Sequence, residues 1–326
     1  MGNNSTNNIN NSNFDFKKIS PKEHILMSQQ FSIEYIEEVF KLTDSIKKSN
    51  AKGFSDVLKG KVIAMLFYEP STRTRFSFES AVLRLGGSCI TTENAKEFSS
   101  ASKGETIEDT FKMINNYADF VVMRHYEDDS SERAVKVAKI PLINAGSGKS
   151  QHPTQALLDI YTIYENFKSL ENLNVAVVGD LLRGRTCDSL IYLLSKYKNN
   201  MFYFVSPNNS KIKDSLREHL VEHNIKFVEC SDLNEVLPKV EVCYMTRIQK
   251  ERFSDIKEYE EAKGKYILDE DNVNLMKKNA IILHPLPRVD EISFDIDENE
   301  RAKYFEQAKN GLYVRMALLK ILAENN

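Results

Sequence analysis

Short apolar runs alternate with helical patterns along most of this chain, in two successive series. No other feature limits the fold as strongly. Such alternation implies parallel sheets flanked by helices, here twice over. In the first series Lys61–Tyr68, Ser88–Thr92, Ala118–Met123 and Pro141–Ala145 read as strands. Thr72–Leu85, Glu105–Tyr117, Ser130–Ala138 and Pro153–Phe167 read as helices, the last opening on a proline that suits a first helical turn. In the second series the strands are Asn174–Val178, Phe202–Val205, Lys226–Glu229, Glu241–Met245 and Ala280–Leu283, with helices between most of them. Polar Lys168–Asn172 separates the two series and marks the boundary. The expected fold class is therefore α/β with two domains, each a parallel sheet flanked by helices, and a cleft between them. An amphipathic helix, Ser32–Ile46, precedes the first series, and a helical segment, Glu300–Ala323, closes the second.

The unusual polar residues cluster just past the carboxyl ends of these strands, where open α/β sheets bind ligands. Ser71-Thr72-Arg73-Thr74-Arg75 follows the first strand and opens a helix that a Gly86-Gly87 pair stops. Unpaired N–H groups and the positive end of the dipole make such a start an anion site, to which hydroxyls and guanidinium forks add donors. Arg124-His125, Gln151-His152-Pro153-Thr154-Gln155, Arg183-Gly184-Arg185-Thr186, Thr246-Arg247-Ile248-Gln249 and His284-Pro285-Leu286-Pro287-Arg288 follow other strands. Together they predict one shared cleft holding Arg73, Arg124, Arg185 and Arg247, with Glu69 as its main carboxylate. That donor set suits a ligand set with several negative charges, such as a phosphate plus carboxylates. It lacks the carboxylates that Mg²⁺ requires, so neither metal nor cofactor is expected. Walker A is absent, and Gly179-Asp180-Leu181-Leu182-Arg183-Gly184 is not a dinucleotide fingerprint. No nucleophile–base–acid set is visible. The chemistry expected is positioning and electrostatic stabilisation of a reaction in which phosphate leaves.

Composition removes other classes. Of 326 residues, 41% are apolar and 28% charged, as in ordinary globular chains. A net charge of −3 argues against nucleic acid or an anionic membrane as partner, so an anion site must be built locally. Cys89, Cys187, Cys230 and Cys243 lack metal-ligand spacing and read as reduced structural thiols, Cys187 included despite nearby Arg185. The Asn-rich tail Met1–Asn13 is expected to be disordered, with order beginning near Phe14. Met1-Gly2-Asn3-Asn4-Ser5-Thr6 fits a loose myristoylation pattern, but no basic cluster follows to complete an anchor. No run resembles a signal core or membrane span, so a cytoplasmic protein is expected.

From Phe14 to about Asn325 the chain resembles the aspartate/ornithine carbamoyltransferase family. The resemblance rests on Ser71-Thr72-Arg73-Thr74-Arg75, Lys103-Gly104-Glu105-Thr106, Val122-Met123-Arg124-His125, His152-Pro153-Thr154-Gln155, Gly184-Arg185-Thr186, Arg247-Ile248-Gln249 and His284-Pro285-Leu286-Pro287-Arg288, in that order. It is closer to the aspartate branch. The ornithine branch carries His-Cys-Leu-Pro where this chain has His284-Pro285-Leu286-Pro287, and lacks the pattern of Arg247, Gln249 and Arg252. The resemblance implies that the carbamoyl group of carbamoyl phosphate passes to L-aspartate, giving N-carbamoyl-L-aspartate and phosphate in pyrimidine biosynthesis. It implies that Ser71, Thr72, Arg73 and Thr74 hold the phosphate. Thr74, Arg124 and His152 would polarise the carbonyl oxygen, and Gln155 with the carbonyls of Pro285 and Leu286 would hold the amino group. Arg185, Arg247 and Gln249 would bind the aspartate carboxylates, with Thr186 and Leu286 adjacent. Ser99 and Lys103 would enter a neighbouring chain's site, making a homotrimer, and Leu286–Pro287 would be cis. The domains implied are 14–167, rejoined by a closing helix from about 305 to 326, and 168–304. Departures are mild: Asp188 stands where some relatives have His, and Ser102 where some have a second Lys. Two alternatives stand beside this: a carbamoyltransferase using ornithine or another amine, and a catalytically silent anion-binding paralogue.

Overall fold

The computed structural model describes residues 15–248, 255, 257, 259–260 and 263–326. The tail expected to be disordered, and the site candidates Gln249 and Arg252, lie outside the described residues. Two parallel sheets form, as the alternation predicts. The first holds β1 (Val62–Phe67), β2 (Ser88–Glu93), β3 (Phe120–His125) and β4 (Leu142–Ser147) in the order β2-β1-β3-β4. The second holds β5 (Asn174–Val178), β6 (Met201–Val205), β7 (Lys226–Cys230), β8 (Val242–Met245) and β9 (Ile281–Leu283) in the order β7-β6-β5-β8-β9. Helices α1 (Ile33–Lys48), α2 (Thr72–Arg84), α3 (Ala95–Phe98), α4 (Ile107–Ile114), α5 (Ser130–Val135) and α6 (Pro153–Phe167) belong to the first series. Helices α7 (Arg185–Leu194), α8 (Asp214–Glu222) and α9 (Glu270–Val273) belong to the second, and α10 (Tyr304–Asn325) closes the chain.

Period-2 alternation of side chains covers both faces of each sheet. In β1, Ile63, Met65 and Phe67 join one core while Ala64 and Leu66 join another on the opposite face. In the second sheet Val175 and Val177 share the first of these cores, whereas Ala176 and Val178 pack into a third with Cys243, Met245 and Ile282. One continuous core therefore runs from the first sheet, through α6 and α10, to the second. Edge strands β2 and β7 are exceptions: β2 exposes Ser88, Ile90, Thr91 and Glu93, and β7 exposes Lys226 and Val228.

The closing helix starts later than its periodicity implies. Ile282 N donates to Arg301 O (2.7 Å) and Lys303 N to Ile282 O (3.0 Å), so this stretch first runs beside β9. Then α10 turns away and packs along α1, α2 and α6. Asn310 anchors it there: its Nδ2 donates to Glu165 Oε2 (2.9 Å) and Thr162 Oγ1 (3.1 Å), and its Oδ1 accepts from Lys47 Nζ (2.9 Å).

Each sheet has one place where the strand order reverses: between β1 and β3 in the first, and between β5 and β8 in the second. Loops leave the sheet in opposite directions at such a point and open a crevice. At the other end of the first sheet, the stop after α2 is tightly packed. Gly86 adopts φ +83°, and a Cβ there would sit 1.8 Å from Ser55 O. Gly86→Ala is expected to lower stability by about 2 kcal/mol or more, combining left-handed strain with overpacking. Urea unfolding checks this; a midpoint equal to that of the unaltered protein would contradict it.

Candidate active site

Both reversal points contribute loops to one cavity of about 700 Å³, whose wall includes residues 69–74, Arg124, His152, Gln155, residues 184–186, Thr246, Arg247 and residues 284–287. The wall begins where β1 ends and α2 starts. Ser71 is the N-cap of α2, yet its Oγ caps nothing and instead accepts from Arg124 Nη1 (3.1 Å). The first backward helical bond is made by Arg75 N to Ser71 O (3.2 Å), so the amides of Thr72, Arg73 and Thr74 stand before it. Arg124 is the fifth position of β3, not a loop residue as the sequence pattern placed it.

Charge balance turns on Glu69. Its Oε2 lies 3.2 Å from Arg124 Nε and 3.5 Å from Arg185 Nη1, so one carboxylate joins guanidinium groups from the two halves of the chain. Arg185 is the first residue of α7, is buried, and donates to Gly148 O (2.6 Å). Gly146, at φ +125°, makes its room, since a Cβ would come within 3.0 Å of the guanidinium. Arg73 has its pKa lowered by burial first and then by Arg247.

His152 precedes Pro153 at the head of α6, and its backbone N–H donates to Ser189 Oγ (3.0 Å). The ring is buried, and among the described residues Nδ1 has no partner. Burial, then Arg185, Arg124 and Arg315, hold its pKa well below the ordinary histidine value. A neutral imidazole can donate a hydrogen bond from one ring nitrogen and accept at the other.

Sequence reasoning missed the contribution of α10. Arg315 lines the cavity, bonds Ser77 Oγ (2.8 Å) and stacks on Phe78 at 5.0 Å, with burial lowering its pKa to about 10. It folds back over Gly311, where a Cβ would lie 2.7 Å from its Nη1. The available signal was one arginine inside the apolar run Tyr313–Leu319. Gln307 of α10 also lines the wall. The Leu286–Pro287 bond is cis, as expected.

Other residues lie elsewhere. Ser99 and Lys103 are not part of the cavity wall: Ser99 Oγ bonds Ala95 O (2.5 Å), and Lys103 ends an exposed 3-10 turn. His125 is sandwiched between Tyr68 and Tyr126, with burial first in pushing its pKa down to about 4. Arg288 turns away to Asp297, with Nη2–Oδ2 at 2.6 Å. Asp188 is paired with Lys213 Nζ (2.5 Å), and the Cys187 thiol is buried with its pKa raised, as befits packing. Among the described residues, no three His, Cys, Asp or Glu side chains converge as metal ligands do.

Comparison with known proteins agrees with this layout. The family model for the carbamoyl-P binding domain of aspartate/ornithine carbamoyltransferases matches residues 23–165, and that for their Asp/Orn binding domain matches residues 171–322. The chain belongs to the aspartate/ornithine carbamoyltransferase family. This carbamoyltransferase is 52% identical over 303 residues to aspartate carbamoyltransferase 1, chloroplastic, of Pisum sativum, spanning 92% of this chain and 78% of that one. It is 47% identical over 296 residues to the catalytic subunit of aspartate carbamoyltransferase from Clostridium novyi (strain NT), spanning 91% and 96%. Among solved structures, the catalytic subunit of M. jannaschii aspartate transcarbamoylase superposes with TM-score 0.86 at 44% identity, covering 93% of this chain and 99% of that one. The Trypanosoma cruzi aspartate transcarbamoylase in complex with carbamoyl phosphate and aspartate superposes with TM-score 0.87 at 36% identity, covering 92% and 97%.

The site's electrostatics predict the titration of His152. Its folded pKa is depressed below the ordinary value, so neutral His152 favours the native state above about pH 6.5, and this advantage fades as pH falls through the folded pKa. Nitrogen NMR of the ring is expected to show a neutral imidazole from pH 8 down to pH 6. A titration centred near 6.5 would refute the environment described.

Proposed function

We propose that this carbamoyltransferase transfers the carbamoyl group of carbamoyl phosphate to the amine of L-aspartate, releasing N-carbamoyl-L-aspartate and phosphate, a step of pyrimidine biosynthesis. The observation that carries this is the convergence of Arg73, Arg124, Arg185 and Arg247 on one cavity whose wall contains Glu69 as its carboxylate. A phosphate and a dicarboxylate together match that surplus of cationic forks. A second ammonium, as on ornithine, would be repelled by Arg185 and Arg247.

In this reading Ser71, Thr72, Arg73 and Thr74 hold the phosphate at the start of α2, where amides and dipole favour an anion. The amine attacks the carbamoyl carbon and the new C–N bond forms. Charge builds on the carbonyl oxygen opposite Thr74, Arg124 and His152, and losing one such donor typically costs ~10²–10³ in rate. The C–O bond to phosphate then breaks, and the departing phosphate takes the amine proton, so no protein base is required. Arg185, Thr186, Arg247 and Gln249 bind aspartate, with Leu286 adjacent. Gln155 and the carbonyls of Pro285 and Leu286 hold the carbamoyl amino group. We divide the chain into a carbamoyl-phosphate domain, 14–167, rejoined by the closing helix, and an aspartate domain, 168–304. The packing of α10 on α1, α2 and α6 supports that return. Among the described residues no helix is long and apolar enough to cross a membrane. The compartment is read as the cytoplasm; the plant relatives are named chloroplastic, and cell fractionation distinguishes the two.

Purified protein is expected to release phosphate from carbamoyl phosphate with aspartate and far more slowly with ornithine. Faster turnover with ornithine would refute the dicarboxylate reading, and no turnover with either would favour a silent paralogue.

The assembly we read is a homotrimer with shared sites. Lys103 is exposed and outside its own chain's cavity, and Phe76, Leu83, Ile90 and Phe98 near it in sequence are exposed apolar side chains. Lys103→Ala and Arg124→Ala are each expected to be nearly inactive alone. Co-expressed with random mixing, they should regain about a quarter of full activity, because mixed trimers contain one intact pairing. Mixed trimers as inactive as the single variants would overturn site sharing.

A further inference from the structure

We propose that Asp159 is a positioning residue that turns hydrogen-bond acceptors toward the carbamoyl amino group and so makes the site select an amino group over a methyl. The inference rests on the carbamoyl phosphate reading above. Asp159 lies one helical turn after Gln155 on α6 and is fully buried. Its carboxylate accepts from Gln155 Nε2 (2.7 Å), Gln307 Nε2 (2.6 Å) and Tyr244 OH (2.8 Å). Burial pushes this carboxyl up to about 7, against the pull of those donors and of Arg315.

At pH 8, above that value, Asp159 is a carboxylate that only accepts, so each amide facing it must turn its NH₂ inward. For Gln155, which lines the cavity, the group left to offer is Oε1, an acceptor. For Gln307, Oε1 accepts the backbone N–H of His284 (2.8 Å). That bond fixes the start of the His284–Pro287 stretch. His284 Nδ1 then accepts from Leu286 N (2.7 Å), which places the ring proton on Nε2, 2.7 Å from Glu291 Oε1. Among the described residues no backbone donor reaches the carbonyls of Pro285 or Leu286, and both residues line the cavity. One buried carboxylate thus governs Gln155 Oε1 directly and the two carbonyls through Gln307. An NH₂ carries donors for such acceptors, and a methyl carries none.

In Asp159→Asn the new amide both donates and accepts, so Gln155 and Gln307 lose the reason to face one way. The variant keeps the shape of the core. Full-length wild type, Asp159→Asn and Gln307→Leu are to be assayed at saturating aspartate. The readouts are KM for carbamoyl phosphate and inhibition constants for acetyl phosphate, which has CH₃ in place of NH₂, and for inorganic phosphate. In both variants KM for carbamoyl phosphate should rise about 10- to 100-fold, the cost of mismatched buried polar groups, while both inhibition constants stay near wild type. Parallel weakening of all three ligands, or an unchanged KM, would overturn the proposal. Should Asp159→Asn fail to fold, as judged by thermal unfolding, Gln307→Leu decides on the same comparison. A wild type inactive with carbamoyl phosphate and aspartate would instead sink the function reading, which keeps the two failures distinct.

Discussion

Guanidinium groups crowded into a partly buried cavity repel one another, and Glu69 is the charge that makes the crowding tolerable. It reaches Arg124 from β3 and Arg185 from α7 at once. Arg124 lies on the strand next to β1, but the contact with Arg185 demands that the carboxyl ends of the two sheets face each other, since Arg185 could not otherwise reach the loop after β1. Burial first, and residual repulsion after it, lower the pKa of Arg73 and keep His152 neutral. A ligand bearing a phosphate and carboxylates relieves that repulsion, so the site is electrostatically prepared for its substrates before they arrive.

Buried polar groups do the remaining alignment. Asn310 joins α10 to α1 and α6, and Asp159 gathers donors from α6, α10 and β8. Each is satisfied by several partners, which is how a polar group survives in an interior and also why it admits few arrangements. These bonds, beside the apolar packing, fix how α10, α1 and β8 sit against α6.

Much of the fold was legible because strand burial and helix caps leave local signals. Pro153–Phe167 and Asn174–Val178 fall on their expected bounds, the first because a proline opens it and the second because every residue after Asn174 is buried. Glu105–Tyr117 shortened to Ile107–Ile114, since Thr106 Oγ1 accepts from Asp109 N (3.2 Å) and so caps the helix later. The closing helix was misplaced at its start because pairing with β9 is a long-range contact that periodicity cannot contain. Site residues after strands were legible for a topological reason, the common destination of those loops. Asp159, Gln307 and Arg315 were not, because a polar residue inside a helix carries no local mark of what it meets across the core. The placement of Ser99 and Lys103 in a neighbour's site came from resemblance alone, and a single chain leaves them outside its own cavity.

The return of α10 also sets a temporal order. A ribosome delivers Ser71–Arg75, Arg124 and His152 long before Gln307 and Arg315. Until α10 emerges, Ser77 lacks its guanidinium donor, Asp159 lacks one of its amides, and the core shared by both sheets lacks a helix. A nascent chain can gather its first sheet early, as domains do during synthesis, but it holds only an open-sided cradle. Competence to bind arrives with the last helix rather than growing gradually along the chain.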